Sequence, residues 1–207
     1  MEKAPYNFQK WEYIKNELLK VDKLLKREID IYLIGGSAMS YYGYKDATKD
    51  VDVLFENQYD CADFFNAITE LGYETSETYF PPVIQMEATF FVYKGDDIWI
   101  DLFVENVMKK FDLSESIKNR AVRTDLSTKY LNVNCLDKND IFLFKSVTPR
   151  ERDESDLILL LTKTEIDFKI IREEIISQSK KYKDLEQDFN KKMKKLEEKG
   201  HYVEYIP

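Results

Sequence analysis

Cysteine is scarce in this sequence, with only Cys61 and Cys135 among 207 residues. Two cysteines without metal-ligand spacing offer neither a structural metal site nor a disulfide framework. No apolar run reaches membrane-spanning length and no signal-peptide pattern opens the chain, so the expected location is cytoplasmic, with no membrane partner. No internal repeat is evident, and no Pro-, Gly- or Ser-rich linker marks a boundary. Positive charge is in deficit: 31 Lys and Arg stand against 39 Asp and Glu, a net charge of −8. Such a chain lacks the cationic surface of a general duplex-DNA binder, though a local basic patch could still meet one nucleic-acid end. The single histidine, His201, follows Gly200 near the C-terminus and is assigned no role.

What is present suits a globular protein: 43% hydrophobic and 34% charged residues, in a chain long enough to bury a sizeable core. The organising stretch is Ile31 to Phe55, IYLIGGSAMSYYGYKDATKDVDVLF. Its apolar start predicts a strand, broken by Gly35-Gly36, with a short helix over Ser37–Tyr42. A second strand carries Asp50 and Asp52, whose side chains project from one face while Val51 and Val53 point into a core. Two adjacent carboxylates repel each other, and either water or a divalent cation such as Mg²⁺ must offset that. The glycines permit close backbone approach, and N–H groups at the start of the Ser37 helix suit an anion. Taken separately, Gly-Gly is an ordinary turn and Asp-x-Asp a solvated strand face. Together they suggest chemistry on a nucleoside triphosphate.

Around this stretch the apolar spacing predicts helices over residues 7–28 and 58–71. Residues 82–93 are β-prone, and Lys94-Gly95-Asp96-Asp97 reads as a hairpin turn before a strand at Ile98–Val104. Asp101 is the lone charge in that strand, either an edge residue facing water or a group held by coordination. Residues 105–119 read as a short helical or irregular connection. A second hairpin is expected between 121–125 and 129–134, and beyond Asp137 the chain is helical. Thr148-Pro149-Arg150-Glu151 carries the signals of a helix start, running to about Thr162. On it Arg150 with Asp153, and Arg152 with Asp156, fall at spacings that make surface salt bridges. Two charged helices follow between Asp167 and Gly200. The second bears Lys191, Lys192, Lys194, Lys195 and Lys199, a solvated face or a contact for RNA or a partner.

Gly35-Gly36-Ser37, twelve residues and then Asp50-Val51-Asp52 resembles the signature of the DNA polymerase β-like nucleotidyltransferases. Lys145 followed by Arg152-Asp153, two residues and Asp156-Leu157 is similar to a second motif of abortive-infection-type nucleotidyltransferases and their uncharacterised relatives. The resemblance implies an α+β (α/β-like) fold: a mixed sheet flanked by helices in residues 1–136, then a helical region over 137–207. It implies Asp50, Asp52 and Asp101 as catalytic ligands of Mg²⁺ or Mn²⁺, Asp101 also favouring deprotonation of the acceptor. Gly35, Gly36, Ser37 and Lys145 would meet the triphosphate, with Arg152, Asp153 and Asp156 in support; Lys145 read alone could equally be a solvent-facing lysine. The implied activity is transfer of NMP from an NTP to a hydroxyl of a protein, an RNA end or a small molecule such as an aminoglycoside. A toxin with an antitoxin partner is the implied setting. The alternative is an inactive nucleotide- or partner-binding protein on the same fold. Tyr41, Tyr42 and Tyr44 could stack on a base, or simply pack.

Overall fold

The computed structural model describes residues 9–75, 90–95, 98–126 and 128–204. The elements in order are α1 (Trp11–Asp22), β1 (Ile29–Ile34), α2 (Gly35–Tyr41), β2 (Asp50–Phe55), α3 (Gln58–Glu70), β3 (Glu74–Thr75), β4 (Phe90–Lys94) and β5 (Ile98–Val104). Then come β6 (Asn106–Val107), β7 (Phe111–Asp112), α4 (Glu115–Arg120), β8 (Val122–Arg123) and β9 (Leu131–Cys135). Four helices close the chain: α5 (Lys138–Ser146), α6 (Arg152–Lys163), α7 (Phe168–Gln178) and α8 (Leu185–Glu198). Seven strands form one mixed sheet in the order β3-β4-β5-β2-β1-β9-β8, and β6 pairs with β7 apart from it. At its centre β1 runs antiparallel to β2 and parallel to β9, while β2 runs parallel to β5.

The central strands are buried along nearly their whole length, alternate residues included. That requires cover on both faces, and the mixed sheet is flanked by helices as expected. Helices α3 and α2 both pack on β1 and β2, and a single buried cluster runs from Ile14 on α1 to Leu196 on α8. Helix α5 sits at the hub of the C-terminal region, in contact with α2, α6, α7 and α8. Its start is fixed by the Asp137 carboxylate, which accepts from the Asn139 N–H. Every residue from Asn139 to Ser146 is buried, which carries a lysine, Lys145, into the interior.

Other boundaries differ from the sequence reading. The first helix ends at Asp22 rather than near residue 28, yet Leu25 is still buried, so the apolar spacing outlasts the helix. Its last residue is committed elsewhere: the Asp22 carboxylate accepts the backbone N–H groups of Lys129, Tyr130 and Leu131 at 2.7–3.0 Å. Residues 7–8, 82–89, Asp96, Asp97 and Ser127 lie outside the described residues. The hairpin expected at 121–134 is present as β8 and β9, and residues 105–119 hold the β6–β7 ribbon and α4. Helix α6 begins at Arg152, later than the Thr-Pro signal predicts. Thr148 is not its cap; the hydroxyl donates to the Lys145 carbonyl at 3.2 Å and to the Asp153 carboxylate.

Candidate active site

Strand pairing assembles the acidic centre. On β2, Asp52 stands opposite Ile34 of β1 on one side and Asp101 of β5 on the other. Both aspartates are buried, at 5% and 7% exposure. Neither carboxylate forms a hydrogen bond or ion pair among the described residues. Asp50 lies at the rim, where Oδ2 is 3.6 Å from the Arg152 guanidinium.

At either glycine a side chain would force a neighbour to move. β1 ends at Ile34 and α2 begins at once with Gly35 at φ 56°, in the left-handed region. A Cβ on Gly35 would run into Asp52 Oδ2, and one on Gly36 into Thr48 Oγ1. The backbone is thus pressed against the carboxylate it faces. Ser37 turns inward: its hydroxyl donates to the carbonyls of Ile34 at 2.8 Å and Asp52 at 3.3 Å, and the side chain is fully buried. It braces the turn rather than lining the cavity.

The opposite wall comes from α5, α6 and the turn between them. Lys145 Nζ is 2.6 Å from Asp156 and 3.2 Å from Asp153. Asp156 also takes Lys45 Nζ at 2.9 Å, and Asp153 takes Arg150 Nε at 2.8 Å. The pairing of Arg150 with Asp153 is as the spacing predicts, but it is buried rather than on the surface. The pairing of Arg152 with Asp156 does not form, because Lys145 and Lys45 occupy Asp156 while Arg152 reaches Asp50. Together Gly36, Asp50, Asp52, Lys145, Arg152, Asp153 and Asp156 line one cavity of ≈ 170 Å³. Asp101 and Gly35 adjoin it through Asp52.

Sequence reasoning missed Lys45, Thr48 and Lys49, which line the same cavity from the α2–β2 loop, and Arg150 as a cavity residue. The available signal was their position: two basic residues and a hydroxyl directly before an acidic strand. The tyrosines pack: Trp11, Tyr41, Tyr42 and Tyr44 form a chain of ring contacts 5.0–5.4 Å apart. The lysine-rich face of α8 is only partly solvated. Lys195 and Lys199 reach Glu154 at 3.1 and 2.7 Å, and Lys192 is buried, whereas Lys191 and Lys194 are exposed. A larger groove of ≈ 970 Å³, lined by Arg172, His201 and Tyr202 among others, lies away from these carboxylates.

The charges divide into two zones. Burial, followed by repulsion from Asp50, pushes Asp52 up to about 7, against the pull of Arg150, Lys145 and Arg152. Asp101 is raised well above the usual carboxylate range by burial and by Asp52 and Asp50. Burial also acts on Asp153 and Asp156, but there cations outweigh it. Lys145 and Arg150 hold Asp153 well below its ordinary value, and Lys145 and Lys45 lower Asp156. The wall is a compensated ion network; the sheet face is an acidic pair that the nearby cations offset only in part.

Among the described residues, no three Asp, Glu, His or Cys side chains converge to hold a metal ion by themselves. Asp52 and Asp101 still fit a hard divalent cation. They are two buried oxygen donors without a partner, and Mg²⁺ is commonly held by one or two carboxylates with substrate phosphates completing its shell. Asp50, tied to Arg152 at the rim, is the outlying third.

A glycine turn pressed on a buried acidic pair, facing a wall of paired lysines, arginine and aspartates across a small cavity, is an arrangement suited to nucleotidyl transfer. The chain belongs to the family described as "Nucleotidyl transferase of unknown function (DUF2204)", whose model matches residues 14–198. No curated protein matches it. Among solved structures it is similar to the crystal structure of ANT(2″)-Ia in complex with adenylyl-2″-tobramycin, at 15% identity and a TM-score of 0.47, covering 72% of this chain and 87% of that one. The solution structure of the antibiotic-resistance factor ANT(2″)-Ia matches at 13% identity and a TM-score of 0.49, covering 93% and 96%. An antigenic nucleotidyltransferase-like protein from Paracoccidioides brasiliensis matches at 15% identity and 0.44, covering 86% and 91%. No helix among the described residues is long and apolar enough to cross a membrane.

Proposed function

We propose that this protein transfers NMP from an NTP to a hydroxyl acceptor in a divalent-metal-dependent reaction, on the polymerase β-like pattern. The observation that carries the reading is the pairing of Asp52 with Asp101, buried, adjacent and without a direct ion pair among the described residues. Asp52 and Asp101, with Asp50 at the rim, would hold Mg²⁺ or Mn²⁺, which when bound offsets charge on the triphosphate and the departing pyrophosphate. The cavity, ≈ 170 Å³, is smaller than the roughly 300–1,000 Å³ of a drug-sized pocket. It suits the phosphate end of the nucleotide, leaving the nucleoside at the mouth.

Residue roles follow from which cations are free to meet phosphate. Lys145 is enclosed by Asp153 and Asp156, so its part is to hold those carboxylates and lend positive charge to the floor. Arg152, half-exposed and only loosely paired to Asp50, is the cation best placed to swing onto the triphosphate. Arg150 adds a guanidinium from inside. The backbone at Gly35, Gly36 and Ser37 allows the phosphates close approach to the acidic pair. In the transfer the acceptor oxygen bonds to the α-phosphorus as the bond to the bridging oxygen breaks, and pyrophosphate leaves. Asp101, as a ligand of the metal, would favour deprotonation of the acceptor hydroxyl.

Calorimetric titration of the four NTPs, with and without Mg²⁺, tests the site. Metal-dependent binding by wild type that is lost in Asp52→Asn supports it; a folded wild type that binds none of them overturns it. Binding with no pyrophosphate release toward any acceptor (RNA, protein or small molecule) would favour the binding-protein alternative. The resemblance carried by Lys145 and Arg152–Leu157 extends the proposal to a cytoplasmic toxin paired with an antitoxin. Growth arrest on expression, absent for Asp52→Asn, is the outcome expected of that role.

A further inference from the structure

We propose that Lys192, on α8 and forty residues past the cavity wall in sequence, is a positioning residue that fixes Arg150 in the site. Lys192 is buried, and its Nζ donates to the Arg150 carbonyl at 3.1 Å. Arg150 is thereby held at both ends, its carbonyl by α8 and its guanidinium by Asp153 of α6. It belongs to the turn before α6, outside both helical ladders, where a carbonyl has no intrahelical partner and must find a donor.

Two comparisons argue that this contact is the reason for the lysine. Its neighbours on the inner stripe of α8 are Leu185, Phe189, Met193 and Leu196, and another apolar residue there would avoid the cost of burying a charge. Lys192 also pairs with the buried Glu154, which has two further cations closer to it. That carboxylate lies 3.7 Å from Lys192 but 3.1 and 2.7 Å from Lys195 and Lys199. Its shortest recorded contact is the hydrogen bond to the Arg150 carbonyl. The C-terminal helix therefore acts on the cavity through one backbone oxygen.

The first test reads the free protein by NMR, following hydrogen exchange at the Nε–H of Arg150. The Nε–H of Arg120, bonded to Asp140 at 3.0 Å, is the internal reference. Lys192→Met should speed exchange at Arg150 and leave Arg120 unchanged, and Lys192→Arg, which keeps a donor, should restore it. Equal loosening of both arginines, or of neither, overturns the proposal. The second test rests on the nucleotidyl-transfer reading and uses the four NTPs with Mg²⁺ as probes. Lys192→Met should weaken NTP binding about tenfold, the scale of one charge-assisted contact. It should add nothing in an Arg150→Gln background; additive losses would mean that Lys192 does not act through Arg150. A wild type that binds no NTP sinks the functional reading alone, and the exchange measurement still decides whether Lys192 holds Arg150.

Discussion

Asp52 and Asp101 are the residues at which this protein gives up stability. Two buried carboxylates without a partner cost free energy that a protein selected only for stability would not retain. Asp52→Asn should therefore raise the urea midpoint of the cation-free protein, by about 0.5–2 kcal/mol in unfolding free energy, while abolishing metal-dependent NTP binding. Lys145→Met should do the reverse. It takes the shared cation from Asp153 and Asp156, leaving them Arg150 and Lys45 alone, and should cost up to about 3–5 kcal/mol by denaturant titration, the scale of breaking a buried pair. At Gly35 the left-handed φ and the contact with Asp52 act together. Gly35→Ala should destabilise by about 1–3 kcal/mol and weaken NTP binding, because relief requires the Asp52 carboxylate to move.

At the scale of elements, the long-range ties explain which boundaries were readable. Helix α3 begins where a local signal says it should, with Asn57 accepting from the N–H groups of Tyr59 and Asp60. Helix α6 does not, because Thr148 is drawn to Asp153 and to the Lys145 carbonyl, and the chain runs through Pro149–Glu151 before helical bonding starts. The end of α1 is likewise bound to a contact over a hundred residues away. Asp22 closes α1 by receiving three N–H groups at the start of β9, and those bonds outweigh burial in keeping its carboxyl below the ordinary value. Asp22→Ala leaves those donors to find water and should cost about 2–3 kcal/mol in a denaturant titration.

For the molecule as a whole, the two charge zones make opposite contributions to pH dependence. Asp153 and Asp156 have folded values below their unfolded ones, so the stability they contribute is complete above the unfolded value and is lost as pH falls through the folded one. Asp52 and Asp101 have folded values above the unfolded ones. The folded protein then binds more protons, and stability declines as pH rises from about 4 toward neutrality. Thermal melts of the cation-free protein should therefore peak on the acid side of neutrality. Mg²⁺ should raise the melting temperature more at pH 8 than at pH 5, and Asp52→Asn should flatten the slope between them. A wild-type melt that is level from pH 5 to pH 8 would remove the acidic pair from the account.

The chain's own order of residues determined what depends on near neighbours. Alternation along Asp50–Phe55 put two carboxylates on one face, the glycine pair broke the preceding strand, and apolar spacing marked the helices. The acidic and glycine motifs were legible for that reason. What only the tertiary structure decided is which charges meet. Strand order set Asp101 beside Asp52 although forty-nine positions separate them in sequence. Burial of α5 turned Lys145 from a surface lysine into the partner of two aspartates. Packing of the C-terminal helix brought Lys192 to the Arg150 carbonyl. Propensity and periodicity act over a few residues, whereas the free energy of a charge is set by everything within a few ångströms of it, and that company is chosen by the fold.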